Sequence, residues 1–174
     1  MASPSDSTTH QVDLAGFNAM ADADALPLLL GVCSSPAWAR GVLAGRPYRS
    51  VDDVLDAADR VLKELTEDEV DAALAGHPRI GDALPPGTSS WSAREQSGVA
   101  GAGDDLRRAL AEGNRAYEER FGQVYLVCAT GRSAAEMLDF LHQRLSNDPV
   151  TERAVLREEL RKINRIRLEQ VLAR

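Results

Sequence analysis

The sequence predicts an all-α fold, a single compact domain of about eight mostly short helices. Apolar residues recur at spacings of three and four along most of the chain, and residues typical of helix caps precede these stretches. Convincing period-two strands joined by hairpin turns are not found. The length of 174 residues suits one domain, and 44% hydrophobic and 27% charged residues are close to the composition of globular proteins.

The start of the chain differs in composition from the rest. The first ten residues are small, polar and rich in Ser and Thr. We therefore expect a disordered tail over residues 1–12 and the helical domain over residues 13–174.

Residues typical of helix starts and ends predict the helices in the first half of the chain. Ser50 is followed by two acidic residues and an amphipathic stretch, and Thr66 with Glu69 forms a capping-box pattern. We expect helices from about Asp13 or Phe17 to Leu30, from Pro36 to Leu43, from Ser50 to Leu65 and from Thr66 to Leu74.

The second half begins with a connecting loop. Residues 78–92 contain five Gly and Pro residues and are too irregular for regular structure. Helices are expected from near Ser92, from Asp104 to Phe121, from Ser133 to about Leu145, and from Asp148 to the C-terminus. Residues 123–129 are apolar and β-branched, and periodicity leaves open whether they form a strand or another buried element, with extended backbone expected for part of them.

Charge and cysteine content exclude several classes of protein. A net charge of −7 and a pI near 5.0 would repel nucleic acid. The apolar run Ala25–Val32 is too short to cross a membrane. Cys33 and Cys128 are too few and too distant for a disulfide framework or a metal cluster, so we expect a cytoplasmic protein with reduced thiols.

His77 is the histidine that the local sequence singles out. Gly76 precedes it and Pro78 follows it, and a residue before proline is restricted away from helical conformations. It either caps the preceding helix or serves as an acid/base group that titrates near neutral pH. His10 lies in the polar N-terminus and His142 lies within a predicted helix, where solvation or packing is the simpler interpretation.

A second candidate site is Ser92 with Glu95 and Gln96. Their spacing matches a capping box, which is the simplest interpretation. If this helix end faces a cleft, the hydroxyl, the carboxylate and the amide could bind a small heterocycle instead.

Arg167 interrupts an apolar stripe in the last predicted helix. Leu156, Leu160, Ile163 and Val171 form this stripe, and Arg167 lies close to its centre. Burying an unpaired guanidinium would cost several kcal/mol, so it must meet a carboxylate, meet a ligand, or extend to water.

Known cofactor motifs are not found. The sequence has no Gly-rich phosphate loop, zinc-binding HExxH pair, nucleophile elbow or dinucleotide fingerprint. A His-Glu pair could perform general acid/base chemistry without a cofactor.

Several motifs together resemble one enzyme family. They are His77-Pro78-Arg79-Ile80-Gly81, Ser92-x-x-Glu95-Gln96, Asn114-x-x-Tyr117 with Arg120-Phe121-Gly122, Trp38 with Arg46-Pro47-Tyr48, and the segment from Arg144-Leu145 to Arg167-Leu168. This combination resembles the decarboxylases of 2-oxo-4-hydroxy-4-carboxy-5-ureidoimidazoline (OHCU), over nearly the whole chain after the tail. Gln123 departs from the pattern, because many members have an aromatic residue there.

The resemblance implies a function and a site. It implies an all-α homodimer without metal or organic cofactor that converts OHCU into S-allantoin during urate degradation. It implies His77 and Glu95 as catalytic residues, and Pro78, Ser92, Gln96, Val127 and Arg167 as substrate-binding residues, Val127 through its main chain.

Two other functions are compatible with the residues alone. The chain could be a non-catalytic helical interaction module in which His77 and Ser92 cap helices and Arg167 lies at an interface. It could also be an enzyme that hydrolyses or isomerises a related ureide with the same His-Glu pair.

Overall fold

Helices dominate the computed structural model, which describes residues 11–82 and 90–173, with side chains described from residue 93 onward in the second range. The helices are α1 Leu14–Ala19, α2 Asp22–Val32, α3 Pro36–Ala44, α4 Val51–Glu64, α5 Glu67–Leu74, α6 Ser90–Glu95, α7 Ser97–Ala100, α8 Asp104–Phe121, α9 Ala134–Arg144 and α10 Pro149–Val171. Two short parallel strands, β1 Val12–Asp13 and β2 Leu172–Ala173, pair next to α1 and α10. The all-α prediction is confirmed.

Helix caps follow the sequence pattern closely. The predicted capping boxes of Thr66 with Glu69 and of Ser133 with Glu136 are both formed. Asp148 accepts hydrogen bonds from the first turn of α10. These side chains satisfy N–H groups that a helix leaves without partners at its start, so they fix where each helix begins.

The described residues contain ten helices instead of about eight, because two expected helices are divided. Extended backbone at Met20 and Ala21 separates α1 from α2. Arg46 stabilises this break, since its guanidinium donates to the carbonyls of Phe17 and Met20 at 2.7 and 2.8 Å. Gln96 likewise separates α6 from α7.

Two apolar clusters form the interior. The larger contains residues of α1 to α5 and α10, and Trp38 is fully buried within it. The smaller lies between α8 and α9 around Tyr117 and Met137. No helix in the described ranges is both long enough and apolar enough to span a bilayer.

The predicted boundaries at the chain ends and in the loop fall partly outside these ranges. Residues 1–10, 83–89 and 174 are not described, so the expected tail and most of the irregular loop stay predictions. Within the described part, Val12 pairs with Leu172, and α6 begins at Ser90, two residues before the expected start.

Candidate active site

A tight turn after α5 carries His77. The turn begins where the His77 N–H donates to the carbonyl of Leu74 at 3.0 Å. It continues to Gly81, whose φ of +88° lies in the left-handed region that glycine tolerates best. His77 and Pro78 therefore occupy a short segment with a defined backbone path.

Two side-chain amides hold this turn, one from the junction of α6 and α7 and one from α8. Gln96 accepts from the Gly81 N–H at 3.2 Å and donates to the Arg79 carbonyl at 3.3 Å. Asn114 of α8 donates to the Ile80 carbonyl at 2.8 Å. Gln96 was expected to bind substrate, and in this structure its amide binds the main chain of the turn.

Glu95 and Arg167 form a bidentate ion pair. Arg167 Nε and Nη2 donate to the two Glu95 oxygens at 2.7 and 2.8 Å, and Nη1 donates to the Val32 carbonyl at 3.0 Å. The Arg167 side chain is 5% exposed and that of Glu95 16% exposed. Arg167 thus meets a carboxylate and does not extend to water, and Glu95 pairs with a residue of a distant helix.

A small pocket with a cavity volume of about 10 Å³ brings several predicted site residues together. It is lined by His77, Pro78, Ile80, Glu95, Gln96, Leu126, Val127, Ala129 and Ile163. Its walls are largely apolar, with an imidazole, a carboxylate and an amide among them. That composition is typical of sites for small polar ligands.

The imidazole of His77 is neutral over the physiological range. Burial lowers its pKa, and the positive charge of Arg167 lowers it further, to about 3. In the unliganded protein His77 can therefore accept a proton or donate its ring N–H. An anionic ligand in the pocket would raise this pKa again, because it introduces a negative charge near the ring.

Residues 124–129 form an extended wall of the pocket. The side chains of Leu126 and Cys128 belong to the larger apolar cluster, whereas those of Tyr125, Val127 and Ala129 belong to the smaller one. This alternation is typical of extended backbone. It resolves the choice that the sequence left open, since the segment is a buried extended stretch without a paired strand among the described residues.

Six of the seven predicted site residues are thus described with their side chains. His77, Pro78, Glu95, Gln96 and Val127 line one pocket, and Arg167 contacts Glu95 directly. The backbone of Ser92 lies in α6, but its side chain is outside the described residues.

Three buried ionic residues near the site were given no role in the sequence analysis. Arg144 pairs with Glu152 and donates to the Leu126 carbonyl, and Glu159 accepts from the Cys128 N–H. Glu152 and Glu159 are buried on the same face of α10 as Leu156 and Arg167. Their spacing along the apolar stripe was the signal available in the sequence.

Comparison with known proteins identifies relatives. A sequence model of the family described as OHCU decarboxylase matches residues 18–169. A 2-oxo-4-hydroxy-4-carboxy-5-ureidoimidazoline decarboxylase of Amia calva is 30% identical over 143 residues, which cover 79% of this chain and 81% of the relative. The uric acid degradation bifunctional protein TTL of Arabidopsis thaliana is 30% identical over 146 residues, 81% of this chain but only 45% of that protein.

A solved structure has the same fold. The crystal structure of an OHCU decarboxylase in the presence of (S)-allantoin superposes with a TM-score of 0.73 at 25% identity, covering 87% of this chain and 97% of that chain. The motifs, the helical architecture and these relatives agree, and the chain belongs to the OHCU decarboxylase family.

Proposed function

We propose that this chain decarboxylates OHCU to S-allantoin in urate degradation. The observation that carries the proposal is the convergence of His77 and Glu95, from distant parts of the sequence, in one pocket. The fold and family membership supply the substrate class, and relatives named for this reaction match most of this chain.

The substrate itself provides the electron sink. Its carboxylate is attached to a ring carbon that also bears a hydroxyl group and neighbours a carbon doubly bonded to nitrogen. When the bond to carbon dioxide breaks, its electron pair moves into the ring and reaches the imine nitrogen, which takes up a proton. The hydroxyl proton then leaves, and the carbon bearing the ureido group gains a proton to give allantoin. The protein has to orient the substrate and move protons.

His77 and Glu95 are the groups that move those protons. A neutral His77 can accept the hydroxyl proton, because burial and Arg167 hold its pKa near 3 before the substrate arrives. Delivery of a proton from one wall of the pocket to one face of the ureido-bearing carbon would fix the S configuration.

The remaining predicted residues hold the substrate or the catalytic groups. Arg167 uses three of its donors on Glu95 and Val32, and a guanidinium has five N–H donors, so two remain for substrate oxygens. Pro78 and the Val127 main chain form the wall, while Ser92 and Gln96 complete the polar contacts. Gln96 does so from an amide that also fixes the His77 turn.

We also propose a homodimer in the cytoplasm that works without metal or organic cofactor. These points follow from the family resemblance. Analytical ultracentrifugation tests the dimer, and assays after exhaustive dialysis against a chelator test the independence from metal.

The reaction is tested by following the circular dichroism of allantoin formed from freshly generated OHCU. Spontaneous decay gives a racemate, so catalysis by this chain should produce a sign-specific signal that grows with protein concentration. A racemic product at the spontaneous rate would reject the proposed activity and favour the interaction module. Conversion of OHCU to a product that retains the carboxylate would favour the hydrolase or isomerase.

A further inference from the structure

The extended segment 124–129 is held along one edge by buried charged side chains. Arg144 Nη1 donates to the Leu126 carbonyl at 2.6 Å, and Glu159 Oε2 accepts from the Cys128 N–H at 2.8 Å. Residues 126 and 128 are two apart, so in extended backbone their polar groups point to the same edge. These two contacts therefore define which way the whole segment faces.

The main-chain groups of Val127 consequently point to the opposite edge. Val127 lines the pocket that also contains His77 and Glu95. Among the described residues, none makes a hydrogen bond to the Val127 N–H or carbonyl. A buried main-chain pair is costly when it has no partner, so this pair, which has none in the described part of the chain, is available to a ligand in the pocket.

Glu159 is itself held in place. Glu159 is 7% exposed. Its second carboxylate oxygen, Oε1, accepts from Lys162 Nζ at 2.7 Å, one turn further along α10. Glu159 also lies on the α10 face that carries Arg167. One helix thus fixes both the ion pair with Glu95 and the register of the extended wall.

We propose that Glu159 is a positioning residue, which acts through the Cys128 N–H to present the Val127 main chain to the substrate. The inference rests on the proposed function, because it assumes a ureide or carboxylate ligand in this pocket. A carbonyl and an N–H from Val127 would pair with a ligand that has adjacent donor and acceptor groups, as a ureido group does.

Two substitutions of Glu159 distinguish the effect of side-chain length from the effect of charge. Glu159→Gln keeps the length of the side chain and an oxygen that accepts from Cys128, whereas Glu159→Asp keeps the charge but is one methylene shorter. Glu158→Gln and Glu158→Asp are matched controls, since Glu158 pairs with Arg161 at the surface and does not contact the segment.

We expect Glu159→Asp to raise KM about tenfold with a smaller effect on kcat, and Glu159→Gln to stay within about threefold, the range of one hydrogen bond. Both Glu158 variants should match the parent enzyme. Equal KM values for Glu159→Asp and the parent, with only Tm lowered, would show a merely structural role and overturn the proposal. Impairment of Glu159→Gln as large as that of Glu159→Asp would also overturn it, because charge and not reach would then matter.

A second measurement does not depend on the folding of any variant. Amide hydrogen exchange of the unaltered protein should be slow at Cys128, and (S)-allantoin should slow exchange at Val127. Unchanged Val127 exchange under conditions where (S)-allantoin protects other pocket amides would reject the proposal. Failure of the proposed function would be distinguishable, since the unaltered protein would then show no stereospecific turnover of OHCU.

Discussion

The guanidinium of Arg167 donates hydrogen bonds to both carboxylate oxygens of Glu95, although 72 positions separate the two residues in the chain. This pair ties the short helix α6 to the long helix α10 and fixes the carboxylate at the wall of the pocket. The positive charge of Arg167 also lowers the pKa of His77, which adds to the larger effect of burial. Arg167 therefore acts on both proposed catalytic groups.

Replacing Arg167 should weaken catalysis even when the positive charge is kept. A lysine in Arg167→Lys cannot donate two parallel hydrogen bonds to Glu95, so the carboxylate loses its fixed orientation. We expect kcat/KM to fall by about 10-fold to 100-fold, the range for losing a charge-assisted hydrogen bond. Steady-state kinetics measure this, with Arg165→Lys at a surface ion pair as control. Unchanged kinetics in Arg167→Lys would show that the bidentate geometry is not needed.

The left-handed conformation of Gly81 predicts a specific cost for alanine. Gly81 has φ of +88°, so Gly81→Ala should lower the free energy of unfolding by about 1–3 kcal/mol and reduce activity, because it strains the turn that carries His77. Gly101 is a good control, since its φ is −92° and a Cβ there would meet no atom within 4 Å. Urea denaturation and turnover measure both effects, and equal behaviour of the two variants would contradict the strain argument.

Removing one partner of the buried ion pair between Arg144 and Glu152 should destabilise the protein strongly. Glu152 is fully buried and accepts from Arg144 and Tyr117. Glu152→Ala leaves the guanidinium of Arg144 buried without its carboxylate, so we expect a loss of about 3–5 kcal/mol of unfolding free energy. Glu158→Ala at the surface should cost no more than about 0.5 kcal/mol. Similar denaturation midpoints for the two variants would refute this.

The low pKa of His77 predicts a pH dependence of stability. The folded-state pKa is about 3, below the ordinary 6.5, so the unfolded chain binds a proton that the folded chain does not in this interval. The contribution of His77 is therefore fully present above pH 6.5 and decreases as the pH falls towards 3. Asn at this position cannot titrate, so Tm of the parent should fall more steeply than Tm of His77→Asn between pH 6.5 and 4. Parallel curves would mean that His77 titrates normally.

Much of the fold was accessible from the sequence because it depends on local signals. The capping boxes at Thr66 and Ser133 and the amphipathic pattern of α4 require only neighbours in the chain. The break at Met20 was missed because the group that satisfies it, Arg46, lies 26 positions away. Local patterns carry no information about such partners.

For the candidate site too, the sequence predicted the residues but not the contacts between them. The motifs around His77 and Glu95 and the interrupted stripe at Arg167 predicted which residues matter. They did not predict that Arg167 would bind Glu95, or that Gln96 would hold the turn as well as face the pocket. Those relations depend on how α6 and α10 pack, which is decided by tertiary contacts and not by spacing.

The most direct test of the central claim, that His77 and Glu95 act together in one catalytic pocket, is the circular dichroism of allantoin formed from OHCU by His77→Asn. Its control is His142→Asn, which replaces an exposed histidine of α9. We expect His77→Asn to fold but to yield racemic allantoin at the spontaneous rate, while His142→Asn retains stereospecific turnover. Stereospecific turnover by His77→Asn near the parent rate would show that His77 is not a catalytic residue.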